Sequence, residues 1–324
     1  MNYYANTLTN KAVLFDNMEA GDYSFFDQIS DSSNTVVITL NMNHSDPVKR
    51  EIFQNKDFRI GLSHAINRQE IIDVVYVGQG EPYQGAPRPE SNFYHERLAR
   101  QYTEYDVDLA NEYLDRAGYS QRNEEGIRLG PDGQPISFGV SVDDTRFPDW
   151  VDVLELVKKY WAAVGIDMQV QAMDGTLLQA RRDANDFDAT ANFSDGGLAV
   201  MLSPKLYFPD GGGATYALAW ASWYNPGTAG GAIEPEEPPE PVKRQMALYD
   251  QLKATADEQK QIELMNEILD IAADQFYVIG ISLQPRKYGV VKNNFRNVPK
   301  EMPEAWLYPD PFPTHPYQYF IAQD

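Results

Sequence analysis

The chain has 324 residues, 43% of them hydrophobic and 23% charged, which is enough to bury a full core as one large domain or two ordinary ones. Its 27 basic and 48 acidic residues give a formal charge of −21, which argues against nucleic acid and anionic membrane surfaces as partners, since both demand clustered Lys and Arg. Cysteine is absent, which excludes thiol catalysis, zinc–thiolate sites and disulfides, and no apolar run of about 18 residues is present to span a bilayer. The opening, MNYYANTLTNKAVLFDN, lacks the basic-then-apolar pattern of a secretory signal. Either the chain stays in the cytosol or its true beginning lies elsewhere.

Residues 1–34 are polar, with one helical patch from Val13 to Met18 that stops at Gly21. TVVITLNMN (35–43) reads as a strand. In NKDFRIGLSHAINRQEIIDVVYVGQG (55–80), Phe58, Leu62, Ala65, Ile66 and Ile72 fall near helical spacing and make one apolar face. Asn67 followed by Glu70 resembles a capping box, so one helix ends and the next begins while the chain stays packed. In EYDVDLANEYLDRAGY, Asp106 is the expected N-cap, Leu109, Tyr113, Leu114 and Ala117 share a side, and Gly118 closes the helix.

GPDGQPISFGVSVDD then reads as a turn and a strand. Trp150–Val164 is an amphipathic helix closed by Gly165, followed by the strand IDMQVQAM, a short helix over Leu177–Asp183, and the strand of DFDATANFSDGG, which empties into a glycine-containing loop. This alternation predicts an α/β fold with a mixed sheet flanked by helices. Residues 209–241 change character, with glycines and interleaved aromatics followed by the stiff, acidic linker EPEEPPEP. Helices are expected over 242–253 and 257–273, and the last 50 residues read as strand plus aromatic, proline-rich chain. No internal repeat is visible.

In this order the segments resemble the family-5 extracellular solute-binding proteins, the oligopeptide- and dipeptide-binding receptors of ABC importers. EAGDYSFFD (19–27) is similar to a short family helix ending in Gly and an acidic residue. The segment from Asn55 is similar to the family's helix pair through Arg59, Ala65, Arg68, Gly78, Gly80 and Pro82. Asp106, Ala110, Tyr113-Leu114 and Ala117-Gly118-Tyr119 match a third motif, and VKKYWAAVGIDMQVQ a fourth, so the likeness covers about residues 10–290. It implies a periplasmic-binding-protein-like second lobe at 45–275, with terminal segments 1–44 and 276–324 belonging to the first lobe. A chain of that kind lacks its parent's N-terminus, so the missing signal says nothing of compartment, and the parent is expected outside the cytoplasmic membrane. Its partners would be a small-molecule ligand and an ABC permease. The uncovered hinge face would favour self-association.

The resemblance also implies that Asp195, in ANFSDGG, receives a ligand's amino terminus, with Gly196 allowing close approach. Asn192 and Phe193 stand where the family's peptide receptors carry a tryptophan, which leaves an oligosaccharide as the alternative to an oligopeptide. Tyr207, Tyr216, Trp220, Trp223 and Tyr224 crowd one glycine-rich stretch, and flat rings with polar edges suit a ligand cleft, or packing beneath a long loop. No cofactor is expected. DANDFDAT (183–190) mimics a calcium loop, but Asp188 stands at the obligatory glycine and Ser194 at the bidentate glutamate. The histidines His44, His64, His95 and His315 are scattered, and the sequons at Asn43 and Asn192 suit a protein from another kind of cell. A glycoside hydrolase, built on two of Asp143, Asp144, Asp195 and Asp210, is the competing reading.

Overall fold

The computed structural model describes residues 4–6, 11–228, 233–308 and 312–322. Its strands are β1 (Tyr4–Asn6), β2 (Tyr23–Ser30), β3 (Val37–Leu40), β4 (Ser137–Asp143), β5 (Asp167–Met173), β6 (Ala189–Asn192), β7 (Ile279–Gly280), β8 (Lys287–Lys292), β9 (Phe295–Arg296), β10 (Glu301–Glu304) and β11 (Phe320–Ile321). Its helices are α1 (Lys11–Asp16), α2 (Met18–Gly21), α3 (Pro47–Gln54), α4 (Lys56–His64), α5 (Arg68–Val74), α6 (Glu96–Arg100), α7 (Val107–Arg116), α8 (Pro148–Ala163), α9 (Gly175–Asp183), α10 (Leu218–Tyr224), α11 (Glu240–Ala254) and α12 (Glu258–Gln275). A five-stranded sheet has the order β5-β4-β6-β3-β7, and a four-stranded sheet the order β1-β8-β2-β10. In the first, β4 is parallel to β5 and β6, whereas β3 is antiparallel to β6 and β7, so the sheet is mixed as expected.

Strand alternation sorts the core. Val36, Ile38 and Leu40 join Phe138, Val140 and Val142 on one face, against Phe53, Phe58, Leu62, Leu114, Val153 and Trp161 of the helices that cover it. Val37 and Met42 sit with Val242 and Met246 of α11 and Met265 and Ile268 of α12 in a second cluster. The middle of that second face is polar. Thr39, Thr190 and Thr215 meet through their hydroxyls, and the Asn192 amide donates to all three.

The helix pair at 55–80 is a bracket. Asn55 caps α4 by accepting from the amides of Asp57 and Phe58, and Asn67 caps α5 by accepting from Glu70 at 3.1 Å. Glu70 reaches back to the Asn67 side chain at 3.4 Å, a looser version of the expected box. Arg59 donates to the carbonyls of Phe53, Gln275 and Phe276, and so grips the end of α12. Arg68 donates to Gly280 of β7 and to Ser63 and Thr103. Burial pushes these guanidinium groups down to about 10 for Arg59 and about 9 for Arg68, so both remain charged at neutral pH. Their charge is met by carbonyl dipoles, and this arrangement needs the corner at Ala65–Ile66.

The chain passes between the sheets twice, over 31–36 and 281–286. This differs from boundaries at 44 and 276, because β3 and β7 pair inside the five-stranded sheet and only the strands beyond them join the other. The two passages lie side by side. The Asn34 side chain accepts from the amides of Ile281 and Ser282 at 2.9 and 3.1 Å and donates to the Tyr83 carbonyl. Arg88 donates to the carbonyls of Ser32 and Gln284 at 2.9 and 2.8 Å. The Asp31 carboxylate accepts from the amides of Gly196, Leu198 and Ala199 at 2.9, 2.9 and 2.7 Å, which pins the loop after β6. Gly196 has φ of 97°, and a Cβ there would stand 2.0 Å from the Ser203 carbonyl oxygen, so the loop requires glycine.

Two predictions follow from these anchors. Burial would raise the Asp188 carboxyl, but His44 at 2.9 Å, the Gly139 amide at 2.8 Å and Lys49 at 2.8 Å bring it down to about 2. A depressed carboxylate stabilises above its unfolded value near 3.8 and loses that contribution as pH falls towards 2. Asp188→Asn should therefore cost about 2 kcal/mol at pH 7, and urea titrations of the two proteins should converge between pH 4 and 2. Asp31→Ala should speed hydrogen exchange at the amides of Gly196, Leu198 and Ala199 at least tenfold, with core strands β3 and β6 unchanged.

Candidate functional site

The carboxyl ends of β4, β6 and β7 and the start of β3 share one edge of the five-stranded sheet, and both passages leave from that edge. Open α/β sheets bind ligands outside such an edge. A cavity of about 450 Å³ lies there, walled by Ser32 and Thr35 of the first passage, Gln284 of the second, Lys287 of β8, and the chain around Phe147 and Phe193. It touches the ends of both sheets.

Its apolar wall is an aromatic trio. Phe147 stacks on Trp150 with centroids 4.0 Å apart and planes at 15°, and Phe193 stands edge-on to both at 4.7 and 5.4 Å. The Arg146 guanidinium lies 4.8 Å from the Phe193 centroid and 5.1 Å from that of Phe147. Pro148 at the first turn starts α8 immediately after Phe147, which is why these rings stand at the sheet edge. In the same wall the buried hydroxyls of Thr35 and Tyr76 make no well-formed hydrogen bond, and burial pushes the Tyr76 phenol up. Such a wall can stack on a flat or apolar ligand group and offer hydroxyls and a guanidinium at its margin.

The residues picked from sequence separate. Phe193 is in the wall. Asp195 is not in the wall but borders it at the rim, next to Ser194, with Oδ1 3.5 Å from the Ser32 hydroxyl and Oδ2 2.9 Å from Lys205 Nζ. Gly196 shapes the loop. Asn192 is buried under the sheet, held by three threonines and by Arg182 at 2.5 Å, and makes no part of the wall. The aromatic stretch is mostly core. Tyr207 is fully buried and donates to the Gly196 carbonyl at 3.0 Å, supporting the rim loop from beneath. Tyr216 is buried and stacks on Tyr277 at 5.1 Å. Trp220 is buried in α10 while Trp223 is 41% exposed, and the Tyr224 hydroxyl is 2.6 Å from Asp250. Tyr207, Tyr216 and Trp220 pack in one cluster with Val242 and Met246 of α11 and Met265 and Ile268 of α12, so these rings fill core space.

Phe147, Trp150 and Arg146 were missed, since they sit 43 or more residues before Phe193 in the chain, in RFPDW at a helix start. Of the carboxylates considered for hydrolysis, Asp143 accepts from the Arg146 amide at 3.1 Å and Asp195 is paired with Lys205. Asp210 is pushed up to about 6 by burial. Among the described residues, no group of three acidic or histidine side chains is placed to hold a metal ion. Asn43 and Asn192 of the two sequons are both buried.

A family model described as "Bacterial extracellular solute-binding proteins, family 5 Middle" matches residues 3–208. The oligopeptide-binding protein AppA of Bacillus subtilis is 26% identical over 204 residues, covering 57% of this chain and 37% of that protein. A solved structure of an oligopeptide-binding protein OppA superposes with a TM-score of 0.81 at 33% identity, covering 97% of this chain and 51% of that one. The periplasmic binding protein MelB of Agrobacterium fabrum, solved with stachyose, superposes with a TM-score of 0.73 at 15% identity over 91% of this chain and 44% of its own. The chain thus spans about half of the solved OppA chain and less of the curated AppA. No helix among the described residues is long and apolar enough to cross a membrane. With the family model matched over 206 of 324 positions (208 − 3 + 1) and the fold shared throughout, the chain belongs to family 5 of the bacterial extracellular solute-binding proteins.

Proposed function

We propose that this chain forms one wall of a receptor that captures an oligopeptide between two lobes outside the cytoplasmic membrane and delivers it to an ABC permease. No bond is made or broken, and closure about the two passages is the signal. The observation that carries this reading is the cavity at the carboxyl edge, with its aromatic trio and its position at the ends of both sheets. The oligopeptide-binding relatives support the ligand class. An oligosaccharide is the second reading, favoured by the ring platform and by an Asp195 whose charge is already met by Lys205.

The four-stranded sheet and the chain beyond it are proposed as the seat of the other lobe. Val13 and Phe15 on one terminal segment, and Trp306, Phe312 and Tyr317 on the other, are exposed, Trp306 at 93%. Side chains of this size in water favour self-association when their cover is absent.

Three outcomes are expected. Phe193→Ala in the longer receptor should weaken peptide binding about tenfold, roughly 1.4 kcal/mol, with the melting temperature little changed, by isothermal titration and calorimetry. The 324-residue chain alone should bind the same peptide at least about a hundredfold more weakly, roughly 2.7 kcal/mol, because one wall excludes little water; equal affinities would show that this lobe alone makes the site. Nitrophenyl glycosides should melt-shift the protein or leave it unaffected without being cleaved, and turnover would favour the hydrolase reading instead.

A further inference from the structure

The rim carboxylate is already occupied. Lys205 Nζ stands 2.9 Å from Asp195 Oδ2, ten residues along the same loop. The Lys205 stem is guided by Gly213, where a Cβ would stand 2.8 Å from Lys205 Cδ, and its side chain is only 21% exposed. The other Asp195 oxygen faces the Ser32 hydroxyl, and the neighbouring loop amides are spent on Asp31. A ligand ammonium arriving at Asp195 would share one carboxylate with a tethered ammonium, two like charges within a few ångströms. Asp195 borders the cavity through the lining residues Ser32 and Ser194, and of the charged groups that line it, Lys287 is paired with Glu304 at 3.0 Å, Arg146 lies over the rings, and Asp149 sits in the first turn of α8.

We propose that Lys205 is a built-in counter-ion for Asp195 and a specificity determinant, so that the receptor takes solutes whose end at this rim is uncharged. The shared chemistry is a neutral amide or hydroxyl group, supplied by an amino-blocked or internal peptide segment or by a sugar. The inference rests on the receptor reading and narrows its ligand. An exposed ion pair adds little to stability, so the consequence is selectivity rather than folding.

The test compares penta-alanine, N-acetyl-penta-alanine and stachyose by isothermal titration against the longer receptor and its Lys205→Met form. Acetylation should change affinity less than about threefold in the parent, and Lys205→Met should shift the ratio at least about tenfold towards the free amino terminus, equal to about 1.4 kcal/mol. Loss of tenfold or more on acetylation in the parent overturns the inference, as does an unchanged ratio in Lys205→Met. A free-amine preference abolished by Asp149→Asn also overturns it, by moving the anchor to Asp149. Binding of stachyose alone defeats the peptide reading and supports the neutral-end inference. If no probe binds, the reactivity of Lys205 with acetic anhydride decides: it should be slower in the parent than in Asp195→Asn, and equal rates would overturn the pairing.

Discussion

One guanidinium joins the two passages on which the rest of the molecule hangs. Arg88 is 1% exposed and divides its donors between the Ser32 carbonyl, the Gln284 carbonyl and the Glu90 carboxylate. Those carbonyls belong to chain that has left one sheet and not yet entered the other, so no ladder satisfies them, and a buried carbonyl without a donor is costly. A lysine would bring one point charge; the planar fork reaches three acceptors. Partial burial works to raise the Glu90 carboxyl, but Arg88 holds it below the usual carboxylate range, so the pair stays ionic at the surface end of a buried guanidinium. Removing Glu90 would leave the buried Arg88 charge with carbonyl partners alone, whereas Glu90 itself is exposed and also meets Arg286 at 3.4 Å.

That clamp constrains how the sheets can move. Asn34 ties the first passage to the second through two amides and to the 83–88 segment through Tyr83, while Arg88 ties both to the same segment. A rotation of one sheet against the other that spares these bonds must turn about the strip itself. Displacement grows with distance from such an axis, so the bonded strip stays fixed while the outer walls of the cavity approach or separate. The cavity lies against the strip, through Ser32, Thr35 and Gln284. Its floor is therefore preorganised, and the Arg146–Phe147 side is the part that closure would carry.

The fold was legible where single residues have one physical use. Asn67 and Asp106 cap helices, and Gly118 and Gly165 close them, because few other residues do those things. The boundary was not legible: TVVITLNMN says strand, yet nothing in its pattern says which sheet, because both of its faces are buried. The site was half legible. Phe193 could be found from one motif, whereas Phe147 and Trp150 join it in the cavity wall only through the sheet, which sets β4 beside β6. Tyr207 and Tyr216 stayed open between cleft and core for a related reason. An aromatic in glycine-rich chain fits a ligand wall or a core equally well, and depth is a tertiary quantity that spacing does not encode.

Net charge and local charge point in opposite directions here, and distance decides between them. A formal charge of −21 would repel anions from the molecule as a whole. At physiological ionic strength that field is screened over about 8 Å, so at the cavity only near neighbours count. In the wall these are Arg146 over the rings, Lys287 on Glu304 and the carboxylate of Asp149, and just outside it Lys205 on Asp195. Two of the three cations are already matched by a carboxylate, which leaves Arg146 and Asp149 as the wall's unmatched charges, of opposite sign and three residues apart. The rim is thus nearly neutral inside a strongly acidic protein. If the proposed ligand docks at this edge, ring stacking and uncharged hydrogen bonds would carry more of its selection than charge would.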